Sequence, residues 1–331
     1  METNFMVSIG VMAYNQEQYV RQTMDCLLAQ QCSYPFEIVI GDDGSVDNTR
    51  AILEEYQQKH PDIIRMLPKA PNKGILKNYT DIIRASTGKY IAFCHCDDLW
   101  HDPLKLQKQV TFLENNPDYG MVHTNADVYL ENSDKTIRNF NDLHQPNIPS
   151  GDVFEAFLTN KFFIFTVTGV FSKAAIEKYV DLDEFIRVDF MYEDLPTWLA
   201  LSYNTKVKYM NESTSTYRVI TNSHSHPKEA NKKFVLLRAH YKMKKHFITK
   251  YNVSASLERD FDISHHVKKF NLAYKLNNFS EAKESYDYLK SQGQVNTKMT
   301  LKKMMLGMPL VYNSFNRLKR VYTPKTSVSN L

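Results

Sequence analysis

Along the first hundred residues, continuous apolar runs alternate with stretches in which apolar positions recur at three- to four-residue intervals. A short apolar run bounded by turn signals suits a buried strand, whereas the longer interval suits one face of a helix. "MVSIGVMAY" predicts a strand, and Tyr19, Val20, Met24, Leu27 and Leu28 predict the helix after it. "FEIVIGDD" predicts a central strand, followed by a helix whose core face is Ile52, Leu53 and Tyr56. "DIIRML" predicts a third, short strand, and "NKGILKNYTDIIRASTG" a helix closed by Gly88. "KYIAFCHCDD" predicts the fourth strand. Asp102 and Pro103 read as the cap and first-turn proline of a helix with Leu104, Val110, Phe112 and Leu113 as apolar positions. Such alternation predicts an α/β sheet with parallel strands.

From Gly120 the pattern loosens. "MVHTNADVYL" predicts a strand, "ENSDKTIRN" a polar loop, "GDVFEAFL" a helix and "TGVFSKAAIEKYV" a strand followed by a helix. "EDLPTWLALSY" predicts a helix and "KVKYMNESTSTYRV" a strand ending near Arg218. Beyond "TNSHSHPKEAN" helical spacing dominates, with a hairpin of "VKKFNLAYKLNN" and "FSEAKESYDYLKS". The expected boundary near His226 divides the chain into an α/β domain over residues 1–225 and a helical region over 226–331. No repeat stands out.

Composition narrows the class. The 331 residues are 24 % charged and 43 % hydrophobic, with no apolar run of spanning length and no basic cluster before the first apolar stretch, so a cytoplasmic protein is expected. Four cysteines in a chain this long read as reduced thiols. A formal charge of +4, without zinc-finger spacing or an aromatic-basic motif, argues against nucleic acid as a partner. After Asp287 no acid occurs, while Lys298, Lys302, Lys303, Arg317, Lys319 and Arg320 lie among "MMLGMPLVY" and Phe315.

Four groups of residues carry candidate chemistry. Asp42, Asp43, Gly44 and Ser45 follow a buried strand, where ligands of open parallel sheets bind; read alone, they are equally a turn capping the next helix, as Asp47 is expected to do. Asp97 and Asp98 end another strand and suit Mg2+ or Mn2+ bridging a substrate's phosphates. A zinc site of Cys94, His95 and Cys96 is the rival, opposed by alternation along a strand and by the lack of ligand spacing. Glu193 and Asp194 open a helix, either as a base for an acceptor hydroxyl or as first-turn acids favoured by the helix dipole. Arg218, with His224 and His226, either offsets a departing diphosphate or makes a surface contact.

In order and spacing these segments resemble the family 2 glycosyltransferases, inverting enzymes with a GT-A fold. "VSIGVMAYNQEQYV" resembles their opening strand and turn, "FEIVIGDDGSVDNT" the nucleotide-binding segment, "NKGILKNYTDIIRASTGKYIAFCHCDD" the run through the metal motif and "EDLP" the acceptor-side acid, over roughly residues 5–225. The resemblance implies a Rossmann-like mixed sheet flanked by helices, with the helical C-terminal extension outside it. It implies that Tyr14 and Asn15 border the nucleotide, that Asp42 or Asp43 contacts uracil or ribose, and that Lys73 and Gly74 lie by the sugar nucleotide. Asp97 matches the last acid of the family's Asp-x-Asp metal motif, with Asp98 and His95 as further candidates, and Asp194 matches the general base, with Glu193 beside it. His95 replaces the motif's first acid; a neutral imidazole removes one negative charge and favours Mn2+ over Mg2+.

The implied reaction is a single displacement from a UDP-sugar to a glycan or lipid-linked acceptor, with Arg218 near the leaving diphosphate. The acid-free tail, with Met304, Met305, Leu306, Met308, Leu310, Val311 and Phe315, is expected either against the inner face of an anionic membrane or as a helix packed on the catalytic domain. A sugar nucleotidyltransferase is disfavoured because "VMAYNQEQYV" lacks a glycine-rich basic loop, and a nucleotide-binding or scaffold protein without transfer is motivated by His95.

Overall fold

The computed structural model describes residues 5–145, 147–220 and 229–308, and its contacts divide the chain into two compact units, Met1–Ile220 and Thr221–Leu331. The predicted His224 and His226, and the tail residues Leu310, Val311, Phe315, Arg317, Lys319 and Arg320, lie outside the described residues.

The first unit begins with strands β1 (Val7–Ala13), β2 (Phe36–Asp42), β3 (Ile64–Met66) and β4 (Tyr90–His95), with helices α1 (Val20–Leu28), α2 (Thr49–Lys59) and α3 (Ile75–Ala85) between them. Every residue of β1 is buried, as a strand covered on both faces must be. Glu37, near the start of β2, is buried and compensated by donors from the Ser8 hydroxyl, the Thr87 hydroxyl and N–H, and the Arg65 guanidinium. The chain continues through β5 (Leu99–Trp100), α4 (Lys105–Asn115), β6 (Tyr119–Leu130), β7 (Lys135–Ile137), α5 (Phe140–His144), α6 (Phe154–Leu158), β8 (Val170–Ser172), α7 (Lys173–Tyr179), α8 (Leu182–Arg187), α9 (Asp194–Asn204) and β9 (Lys206–Val219).

Among the described residues nine strands form one sheet in the order β3-β2-β1-β4-β8-β6-β9-β5, with β7 on β6. The predicted parallel half is present: β1 runs parallel to β2 and β4, and β2 to β3. The other half is mixed, since β8 is antiparallel to both β4 and β6 while β9 is parallel to β6. Register places Ala13 opposite Asp42, and Met12 opposite His95. Three neighbouring strands therefore end together on one edge.

Local details differ from the sequence reading. Gly88 does not close α3, which ends at Ser86 in an extended conformation. It lies instead where a Cβ would stand 2.6 Å from the Ser8 amide nitrogen, so glycine there lets the chain pass close to β1. Asp102 accepts from the Leu104 N–H one turn before α4, which starts at Lys105. The stretch read as a polar loop after β6 contains β7.

The second unit contains α10 (Ala230–Lys250), α11 (Ala255–Lys275), α12 (Phe279–Ser291) and α13 (Thr297–Leu306). The hairpin read from the sequence is α11 and α12. Its core brings together Phe234, Phe270, Ala273, Ala282, Leu289, Met299 and Leu306.

Candidate active site

The edge shared by β1, β2 and β4 is where an open parallel sheet binds ligands, because the strand ends diverge there into loops. Beyond β1, Tyr14 is half exposed and Asn15 adopts a left-handed conformation at φ 52° that short polar side chains tolerate. Asn15 donates from its N–H to the Ser45 hydroxyl at 3.0 Å and accepts from the Val46 N–H at 2.9 Å, so the turns after β1 and β2 are laced together. Asp42 is buried, accepting from the Ser45 N–H and lying 3.4 Å from the Arg50 guanidinium. Asp47, one residue before the Asn48 N-cap of α2, accepts from the Thr49 and Glu17 N–H groups and so ties the helix start to the turn after β1.

Asp43 has a different task. Its two oxygens accept from the N–H groups of Lys73 and Gly74, at 2.8 and 3.0 Å, and thereby hold the loop before α3 against the end of β2. Gly44, at φ 76°, would place a Cβ 2.6 Å from the Asn72 nitrogen, so this approach requires glycine. The Lys73 ammonium pairs with Asp81 at 2.6 Å. Tyr14, Asn15, Asp42, Asp43, Lys73 and Gly74 thus form one connected rim.

Past β4 the three candidate metal residues part company. Asp98 is buried and accepts from the Arg218 N–H at 2.9 Å; burial and the neighbouring Asp97 charge push its carboxyl well above the ordinary range. The His95 Nε2 lies 3.5 Å from Glu193. Burial alone would lower the His95 pKa, but Glu193, Asp97 and Asp98 outweigh it and raise it to about 9, so the ring is cationic at neutral pH. Among the described residues no three His, Cys, Asp or Glu side chains are placed to share a metal ion. A structural zinc site at Cys94, His95 and Cys96 therefore finds no support among the described residues, while the Asp98 carboxylate is engaged by the Arg218 N–H and the His95 ring faces Glu193. Cys94 and Cys96 are buried thiols whose pKa values burial raises.

Asp97 remains. No side chain among the described residues donates to its carboxylate, while its backbone carbonyl accepts from Arg218 Nε at 2.8 Å. Mg2+ or Mn2+ held with a diphosphate usually takes one or two protein carboxylates, and this free carboxylate on the ligand-binding edge fits that requirement. Arg218 is fixed by a bond to Gln22 at 2.7 Å and by the rings of Tyr19 and Tyr129 at 4.8 and 5.6 Å, so it braces the Asp97 turn from β9.

The Glu193 contact with His95 brings the start of α9 to the same edge. Glu193 is buried, and its Oε2 has no hydrogen-bond partner among the described residues. Asp194 turns elsewhere. It accepts from the Thr166 hydroxyl at 2.7 Å and from the Leu195 N–H. Burial first, and then the Glu193 charge, raise its pKa to about 6, against the pull of Thr166 and Leu195.

Thr166 opens a single helical turn, Thr166–Thr168, whose carbonyls are tied down by residues that sequence reasoning missed. Trp100 Nε1 and the Ser215 hydroxyl donate to the Val167 carbonyl at 3.0 and 3.2 Å. Lys105 Nζ and Gln109 Nε2 donate to that of Thr168, at 3.1 and 2.8 Å. Lys105 is fully buried beside the Trp100 ring. The available signal was a polar pair, Lys105 and Gln109, one turn apart on the flank of the apolar face of α4. Thr166 itself had none.

Comparison with known proteins gives a consistent likeness. A family model described as "Glycosyl transferase family 2" matches residues 8–180, just over half of the chain. An uncharacterized Mycobacterium tuberculosis protein is 41 % identical over 112 residues, 34 % of this chain and 32 % of that one, so the match spans about a third of the relative's length. TuaG of Bacillus subtilis, named for teichuronic acid biosynthesis, is 28 % identical over 66 % of this chain and 81 % of its own. Among solved structures, mannosyltransferase PcManGT from Pyrobaculum calidifontis, in complex with GDP-Man and Mn2+, superposes with a TM-score of 0.56 at 13 % identity, over 95 % of this chain and 88 % of that one. S. aureus TarS 1–349 superposes with a TM-score of 0.53 at 13 % identity, over 95 % and 92 %, and has also been solved in complex with UDP-GlcNAc. At such identities the superpositions establish the fold.

Proposed function

Because the chain belongs to glycosyl transferase family 2 and has the GT-A fold, we propose that it is an inverting glycosyltransferase. It moves a hexose or N-acetylhexosamine from a UDP-sugar to a hydroxyl of a glycan or lipid-linked acceptor in surface polysaccharide synthesis. The observation that carries this reading is the 3.5 Å contact between His95 and Glu193, which joins the Asp97 edge to the α9 turn holding Asp194. The teichuronic acid relative and the sugar-nucleotide complexes of the structural neighbours support the substrate class.

In this reading Asp194 accepts the proton of the acceptor hydroxyl, the oxygen bonds to the anomeric carbon, and the bond from that carbon to the diphosphate breaks with inversion. Thr166 holds the base in place. Tyr14, Asn15 and the Asp42–Asp43 segment border the nucleotide, with Lys73 and Gly74 beside the sugar. A divalent cation held by Asp97 would offset the negative charge of the leaving diphosphate. Arg218 keeps the Asp97 turn in place, and the His95 cation supports Glu193.

The test is UDP release from purified protein, measured over a panel of UDP-sugars and acceptors with and without Mn2+. Release from one donor that depends on Mn2+ supports the proposal. UDP binding without release from any donor–acceptor pair would favour the second reading, a nucleotide-binding protein without transfer, for which the diversion of His95 to Glu193 is the motive.

We further propose that the protein works in the cytoplasm at the inner face of the membrane. Among the described residues no helix is long and apolar enough to cross a bilayer. The end of the second unit nevertheless exposes Leu301, Met304 and Met308, each by more than half, among Lys298, Lys302 and Lys303. Apolar side chains interleaved with lysines suit an anionic lipid surface. Flotation with phosphatidylglycerol-containing vesicles is expected to carry the full chain and to leave behind a full-length variant with Leu301→Ser, Met304→Ser and Met308→Ser, exposed positions whose change spares the core; equal flotation would overturn the role of this segment.

A further inference from the structure

Outside the edge just described, Asp142, Gln145, Asn147, Ile148, Tyr209 and Asn211 line a cleft of about 360 Å3. None of the residues assigned to donor, metal or base belongs to it. Its size lies at the lower end of the range of small-molecule sites. Gln145 is 94 % buried, whereas Asp142, Asn147 and Asn211 are exposed, so the cleft has a carboxamide floor and a polar rim.

Its hydrogen-bonding capacity is specific. Gln145 Oε1 accepts from the Phe163 N–H, while among the described residues Gln145 Nε2 has no partner. Asn211 Oδ1 accepts from the Tyr209 hydroxyl at 3.0 Å, which directs the Asn211 amide N–H2 to another acceptor. The cleft thus offers the two N–H groups of the Asn211 amide as donors, the Asp142 carboxylate as acceptor and the Tyr209 ring as an apolar wall, above the buried Gln145 Nε2. The Tyr209 ring is backed by His123 at 5.1 Å, an imidazole whose pKa burial lowers to about 3 and which is therefore neutral. Among the described residues no lysine, arginine or charged histidine lines the cleft, and Asp142 repels anions, which disfavours a phosphate or nucleotide.

The fold aims Asn211 deliberately. Between β6 and β9 the pairing jumps from Thr124 with Met210 to Asn125 with Ser213, leaving Asn211 and Glu212 without partners in β6. A bulge of this kind re-aims side chains that a regular ladder would keep in line.

A ligand that accepts from two N–H groups, donates to a carboxylate, carries no negative charge and packs C–H groups on a phenol ring has the chemistry of a sugar ring, whose hydroxyls do both. We propose that this cleft is an acceptor subsite that holds a neutral sugar residue of the growing glycan, apart from the residue that receives the transferred sugar. This rests on the transferase reading. A continuous segment joins the subsite to the base: Gln145 holds Phe163, the Phe163 ring meets Phe165 edge-on at 4.9 Å, and the next residue, Thr166, bonds Asp194.

The test is saturation-transfer NMR on the full chain with the methyl glycosides of glucose, galactose, N-acetylglucosamine and N-acetylgalactosamine, in saturating UDP and the diamagnetic Mg2+. At least one glycoside is expected to receive saturation in the presence of UDP and to bind about three- to tenfold more weakly to Asn211→Ala and Asp142→Ala, exposed positions whose loss spares the core. No transfer to any glycoside, displacement by UDP, or unchanged affinity in both variants would overturn the subsite. Saturation of UDP in the same samples reports separately on the transferase reading. Glycoside binding without UDP binding would sink that reading alone; UDP binding without glycoside binding would sink the subsite alone.

Discussion

A protein carrying Asp194→Asn is expected to turn over about 10²–10⁴-fold more slowly than the wild type, the range for losing a general base, and to melt at a higher temperature. The two effects have one cause. A carboxyl group whose folded pKa stands above its unfolded value binds its proton more tightly in the fold. Its contribution to stability is full below the unfolded value near 4 and is lost as pH rises through about 6, so at neutral pH the fold carries an ionised Asp194 at a cost. A neutral amide of the same shape removes that cost, on the order of 1–3 kcal/mol. The wild-type turnover should fall as pH drops through about 6, because protonated Asp194 cannot accept the acceptor's proton. Undiminished turnover in Asp194→Asn would remove the residue from the role of base. Slower turnover with a lowered melting temperature would mean damage to the fold instead.

Asp97→Ala is expected to cost about 10²–10³-fold in transfer, comparable to losing one group that stabilises charge in the transition state. Its signature is the metal response. Chelation with EDTA should bring the wild type down to the level of the variant and leave the variant unchanged. Calorimetry gives a reading independent of turnover: Mn2+ should tighten UDP binding to the wild type and have no effect on the variant. Equal stimulation of both proteins by Mn2+ would mean that the ion is held elsewhere. The alanine keeps the backbone carbonyl that Arg218 Nε reaches, so the turn itself should persist.

The parallel half of the sheet was legible because β1, β2 and β4 are buried on both faces and their residues are apolar almost throughout. The partners of β8 and β5 were not. Three- and two-residue strands carry too little periodicity, and an apolar pattern states that a strand is buried without stating beside what or in which direction. At the site, adjacency misled: Asp97 and Asp98 are chemically identical neighbours in the turn between β4 and β5, and only the hydrogen bond from the Arg218 N–H distinguishes Asp98 from Asp97. Asp43 looked like a ligand contact from its place after β2, and both its oxygens are engaged by main-chain donors. The Glu193 contact with His95 joins residues nearly a hundred positions apart and leaves no local trace. Thr166 was invisible because one hydroxyl aimed at one carboxylate forms no pattern in a sequence.

The grip of Asp43 on the loop before α3 has a bearing on evolvability. It holds the N–H groups of Lys73 and Gly74, which every residue but proline possesses, so the shape of the loop is insulated from the identity of the side chain at position 73. In the proposed reading position 73 lies beside the donor sugar, so substitution there would change the contact to the sugar while leaving the loop backbone held by Asp43.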